Sequence, residues 1–175
     1  MKKVLIGIGG VVGAALLIVA GIAIGKLLPF GTANPLPESI QSTIDFSVFV
    51  VKPDSEDYSM TSIKADTAED STKILSYIIE APFGNVTVSE YPQPAQFSEI
   101  PDFKDKFLND VMQQTSTVTT TNGPVVIGRM AKQEVNKQIA VLLEKGLVVF
   151  FTPEKTLSDE EWRKLADNLV IVSSN

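Results

Sequence analysis

Leu147-Val148-Val149-Phe150-Phe151 places five large apolar side chains in a row. Side chains of a strand alternate between its two faces, so this segment is apolar on both. Such a strand belongs in the middle of a sheet that is covered on both sides. The turn residues Glu144-Lys145-Gly146 join it to Gln138 to Leu143, and the two runs read as a hairpin. Downstream, Ser158-Asp159-Glu160-Glu161 has the form of a capping box, with acidic residues at the positive end of the helix dipole. Trp162, Leu165, Ala166 and Leu169 then form the apolar stripe of that helix.

Upstream, Thr115 to Thr121 is rich in β-branched residues, and Asn122-Gly123 is a strong hairpin signal leading into Val125-Val126-Ile127. Before it the period is helical. Ile100, Phe103, Phe107 and Val111, with Leu108 and Met112 alongside, recur in steps of three and four. Asp102, Lys104, Asp105, Lys106 and Asp110 fall elsewhere, which predicts an amphipathic helix of about four turns. Pro92 and Pro94 separate it from earlier strands. Those are predicted over Ile44 to Val50, near Tyr58 to Lys64, and over Thr72 to Glu80 and Asn85 to Tyr91, the last two turning at Pro82-Phe83-Gly84. The order is four strands, a helix, four strands, a helix. It predicts an α+β domain with a curved antiparallel sheet of about eight strands packed against two helices, preceded by one transmembrane helix.

That preceding helix is expected over residues 4–25, where Val4 to Gly25 are 22 residues with no charged side chain. At 1.5 Å per residue they would extend about 33 Å, enough for a hydrocarbon core of about 30 Å. A cleaved signal peptide is the rival reading, with Ala23-Ile24-Gly25 an imperfect cleavage site; the length favours an uncleaved signal-anchor. Lys2 and Lys3 precede the segment, and only Lys26 follows it before Lys52. The positive-inside rule then leaves residues 1–3 in the cytoplasm and the remainder outside. Within the span, Gly9, Gly13, Gly21 and Gly25 have the small-residue spacing that permits helix pairing. Residues 26–38, with Pro29, Gly31, Pro35 and Pro37, read as a stiff linker. Residues 39–175 form the extracytoplasmic domain, a size suited to a single core.

Composition narrows the chemistry. The chain of 175 residues has 15 basic and 21 acidic residues and a net charge of −6. Three of the lysines lie in the first 34 positions, which leaves 12 basic against 21 acidic residues beyond them. Such a domain is not a generic nucleic-acid binder, because phosphate affinity comes mainly from Lys and Arg. Histidine and cysteine are both absent from the sequence. Ser-His-Asp and Cys-His nucleophiles, histidine or cysteine zinc sites, haem held through either residue and thiol redox chemistry are thereby excluded.

The remaining motifs carry little chemistry. Asp54, Glu56 and Asp57, and then Asp66, Glu69 and Asp70, form acidic clusters, but neither has the sixth-position Gly and terminal Glu of an EF-hand loop. They read as solvated loops. A carboxylate pair for glycoside hydrolysis would survive the lack of histidine, yet no spacing singles one out. Asn85-Val86-Thr87 has the glycosylation acceptor pattern. No catalytic, cofactor or metal residue is predicted. Phe103, Phe107, Val111 and Trp162 are the candidate lining of an apolar groove, although aromatics at helical spacing commonly belong to a core.

The last 60 residues or so carry a recognisable pattern. It comprises the Thr-rich strand, Asn122-Gly123, a strand with Gly128, the Lys145-Gly146 hairpin, then Ser158-x-x-Glu161 and a helix ending Ala166-Asp167-Asn168-Leu169. This resembles an uncharacterised family of membrane-anchored bacterial domains, similar in fold to periplasmic lipoprotein carriers and related sensor domains. The resemblance implies a binding or sensing role outside the membrane and, through the carriers, an apolar ligand.

The sequence therefore predicts a single-pass cell-membrane protein whose C-terminal domain is a non-enzymatic binding or sensing module. Its expected partners are the membrane, through the N-terminal helix, and either a lipid or a protein. In one version a lipid or other apolar group lies between sheet and helix. In the alternative a solid-cored module recruits a protein at the cell surface, and a carboxylate-dependent hydrolase comes third.

Overall fold

A computed structural model of the protein describes residues 35–131 and 137–173. The span expected over 4–25, with Gly9, Gly13, Gly21 and Gly25, lies outside them, and no helix among the described residues is long and apolar enough to cross a membrane.

The described chain is α+β. It opens with a single helical turn, α1 (Glu38–Gln41), and a short strand, β1 (Val48–Val51). Three strands follow: β2 (Ser59–Thr67), β3 (Lys73–Ala81) and β4 (Gly84–Pro92). Helices α2 (Gln96–Glu99) and α3 (Phe103–Val111) lead to β5 (Met112–Thr120), β6 (Gly123–Met130), β7 (Gln138–Glu144) and β8 (Leu147–Pro153). The last elements are α4 (Asp159–Asp167) and β9 (Leu169–Val172).

Seven strands form one sheet in the order β2-β3-β4-β8-β7-β6-β5, with every neighbouring pair antiparallel. It consists of two meanders, β2 to β4 and β5 to β8, joined where β8 pairs with β4. The segment carrying α2 and α3 takes the chain from β4 in the interior to β5 at the far edge, and the second meander runs back to the centre. β8 is the middle strand, and all seven of its residues are buried, as its two-faced apolar run predicts. The predicted eight-strand sheet is in fact seven strands, because β1 leaves it to pair with β9 in a separate two-stranded ribbon.

Each face of the large sheet has its own core. On one face Ile74, Tyr91, Val141, Val148 and Phe150 pack with Phe107, Leu108 and Val111 of α3. On the other, Tyr77, Val88, Val149 and Phe151 pack with Phe49 of β1 and with Trp162, Leu165 and Ala166 of α4. Leu36, ahead of α1, is buried in this second core.

Local chemistry explains the element ends. The capping box at α4 is complete: the Glu161 amide donates to Ser158 Oγ at 3.3 Å, and the Ser158 amide donates to Glu161 Oε2 at 2.7 Å. Lys145 and Gly146 both have positive φ, 55° and 74°, which suits the tight β7–β8 turn. The helix expected from Ile100 for about four turns is shorter. Ile100, held extended before Pro101, and Asp102, with φ 60°, break it from α2. At its other end Met112 is already extended and pairs with Met130. The sheet's two edge strands, β2 and β5, carry register shifts at Thr61/Lys64 and Gln114/Ser116. Irregular edges of this kind discourage pairing with other chains.

Candidate functional site

The four candidate groove residues do not meet. Phe103, Phe107 and Val111 lie on α3, over the face that carries Phe150, whereas Trp162 lies on α4 in the opposite core. The seven-stranded sheet stands between them. Phe107 and Val111 are buried and Phe103 is half-buried. The Phe97 ring, from α2, sits 5.2 Å from that of Phe103 and 5.1 Å from that of Phe107, and Phe107 is 6.1 Å from Phe150. These are edge-on or tilted contacts of the kind that fill protein cores. On the other face Trp162 makes an edge contact with Phe151 at 6.1 Å. Between sheet and α3, Phe97, Phe103, Phe107 and Phe150 form a chain of ring contacts.

The chemically unusual group is Glu90, which is fully buried on the Trp162 face. β4 places it there by simple alternation, since Val86, Val88 and Glu90 share one side of the strand. Its Oε2 accepts the backbone N–H of Phe49 at 2.8 Å. Its Oε1 lies 2.6 Å from the Tyr77 hydroxyl on β3. That hydroxyl also reaches the carbonyl oxygen of Phe49 at 2.8 Å. One carboxyl and one phenol therefore engage both backbone groups of a single residue of β1. Burial pushes Glu90 up to about 8, opposed by the hydrogen bonds from Tyr77 and Phe49. Burial and the neighbouring carboxyl also hold the Tyr77 phenol well above its ordinary range.

Glu90 falls in the strand predicted over Asn85 to Tyr91 but is not among the sequence candidates, since a lone charged residue in a strand ordinarily faces solvent. The signal was present: a carboxyl in register with Val86 and Val88 has to face whatever covers them. Tyr91, on the opposite side of β4, is buried against Phe150 and raised by burial, and among the described residues its hydroxyl finds no hydrogen-bond partner.

Compared with known protein families, curated proteins and solved structures, the chain matches none.

The other sequence candidates lie at the surface. Asp54, Glu56, Asp57, Asp66, Glu69 and Asp70 are exposed, and Asp70 accepts the Thr72 amide at 3.0 Å, which holds its carboxyl below the usual range. Among the described residues no three acidic side chains converge as metal ligands. The side chain of Asn85, half-buried at the start of β4, donates to Glu154 at 3.1 Å.

Proposed function

We propose that the protein is a membrane-tethered, non-enzymatic interaction module whose solid-cored α+β domain binds a protein partner outside the cytoplasm. The observation that carries this reading is the filling of both sheet faces by the chain's own side chains, with Phe107 3% and Trp162 1% exposed. A lipid held between sheet and α3 would need the volume that Phe97, Phe103 and Phe107 occupy. The tether and its orientation rest on Val4 to Gly25 and the lysines around it. The excess of acidic over basic residues beyond position 34 suits a partner with a basic surface and disfavours anionic lipid. Ile100 and Ile171, the large apolar side chains most exposed among the described residues, are the places to look for contact.

The test is native mass spectrometry of the full chain in mild detergent, with photo-crosslinking from Ile100 and Ile171 in intact cells. The expected result is a bare protein mass together with discrete protein adducts from at least one position. A co-purifying mass in the lipid range that leaves on unfolding would overturn the solid-cored reading.

A further inference from the structure

Two oxygens meet the Tyr77 hydroxyl, and proton counting decides their state. The phenol has one proton but two acceptors in reach, Glu90 Oε1 at 2.6 Å and the Phe49 carbonyl at 2.8 Å. With an ionised Glu90 one of these short contacts would set two lone-pair oxygens against each other in a dry interior, which is costly. With a protonated Glu90 every contact has its own proton. The carboxyl donates to Tyr77, Tyr77 donates to the Phe49 carbonyl, and the Phe49 amide donates to Oε2.

We propose that Glu90, Tyr77 and Phe49 form a proton-dependent clasp that holds β1 on the large sheet and opens when Glu90 loses its proton to solvent. Among the described residues no cation stands by to stabilise the carboxylate. β1, β8 and β9 have no titratable side chain. On β3, Lys73 pairs with Asp45 at 3.1 Å and the exposed Glu80 takes Ser59 and Thr61, which leaves Tyr77 as the titratable group facing Glu90. On α4, Asp159, Glu160, Arg163 and Lys164 are exposed, Glu161 is held by Ser158, and Asp167 by Thr121. Apart from its own burial, the influences on Glu90 among the described residues are Tyr77 and the Phe49 amide.

The direction of the pH response follows from linkage. Glu90 is raised from 4.5 to about 8 in the fold, so between those values the folded chain holds a proton that the unfolded chain has lost. Stability falls as pH rises through that window and levels off above it. Because the loss is local to Phe49, β1 should open before the large sheet does.

Glu90→Gln tests the clasp, since its amide donates to Tyr77 and accepts from Phe49 with nothing left to titrate. The measurement is amide hydrogen exchange of the full chain in mild detergent, wild type against variant at the same pH, so that intrinsic rates cancel. At about pH 9, above that window, β1 amides over 48–51 should exchange faster in the wild type than in the variant by on the order of a thousandfold, the tenfold loss per pH unit accumulated between 4.5 and about 8. At about pH 4, below both values, the two should agree, and β3 should exchange more slowly than β1 at both pH values. Equal β1 exchange in wild type and variant at high pH, or β3 exchanging as fast as β1 there, overturns the proposal. Should Glu90→Gln fail to fold, Tyr77→Phe decides: without the bridging hydroxyl, β1 exchange should already be faster than wild type at the lower pH, and an unchanged rate there overturns the clasp.

Discussion

Phe150 and Phe151 are adjacent in the chain and stand in different cores: the ring of Phe150 is 6.1 Å from Phe107 on α3, and that of Phe151 is 6.1 Å from Trp162 on α4. The domain is thus three layers built on one central strand, and that strand supplies a ring to each interface. Phe150→Ala and Phe151→Ala should each lower stability by about 3–5 kcal/mol in urea unfolding, as expected for truncating a buried phenylalanine. Trp162 is the one tryptophan of the chain, so fluorescence separates the two variants. Phe151→Ala should shift the emission, whereas Phe150→Ala should leave it unchanged.

Tyr77 and Tyr91 differ by what their hydroxyls meet. Tyr77 reaches Glu90 and the Phe49 carbonyl, while the buried Tyr91 hydroxyl has no partner among the described residues. Removing a bonded hydroxyl strands its partners, whereas removing an unbonded one relieves a desolvation penalty. Tyr77→Phe should therefore cost about 1–3 kcal/mol, and Tyr91→Phe should be neutral or stabilising by up to about 1 kcal/mol. Chemical denaturation of the two variants beside the wild type checks the contrast.

The path of the chain through the sheet was legible where one local signal was strong. Leu147 to Phe151 placed β8 at the centre because both faces of a strand that apolar have to be covered, and Ser158 with Glu161 marked the start of α4 because a capping box works within four residues. What local signals do not carry is which side of the sheet a connection crosses. The stripes of Phe103, Phe107 and Val111 and of Trp162 look alike as helix faces, yet the β4–β5 and β8–β9 connections cross opposite sides, so a groove shared by both cannot form. β9 was hidden for a related reason. Leu169 continues the spacing of Leu165 and Ala166, and its extended backbone is set by pairing with Val51, a partner more than a hundred residues away. Glu90 was legible in its register with Val86 and Val88, but its burial depends on β1 docking from outside the sheet.

The capping box at α4 invites a coupled test. Ser158 Oγ and the Glu161 carboxylate satisfy each other's backbone groups, and the Ser158 amide and hydroxyl, both donating to that carboxylate, hold Glu161 below its usual range. Ser158→Ala should lower stability by about 1 kcal/mol. Combining it with Glu161→Ala should cost clearly less than the sum of the two single changes, because each removes the same reciprocal pair. Additive losses in a double-mutant cycle would show that the two residues act separately.

Gly128 on β6 sits tightly against the backbone of β5. A Cβ built there would lie 2.5 Å from the Gln113 carbonyl oxygen and 2.8 Å from the Met112 sulfur. The sulfur ends a flexible side chain and can move; the carbonyl belongs to β5, next to the register shift at Gln114/Ser116, and can retreat only by separating the two strands. Gly128 does not have positive φ, so the requirement for glycine here is space rather than backbone conformation. Gly128→Ala should therefore destabilise the chain by about 1–3 kcal/mol, the range for overpacking. Hydrogen exchange should place the damage in β5 and at the β5–β6 pairing, leaving β3 and β4 protected. An alanine variant as stable as the wild type, with β5 equally protected, would mean that the β5–β6 pair can accommodate the added methyl without parting.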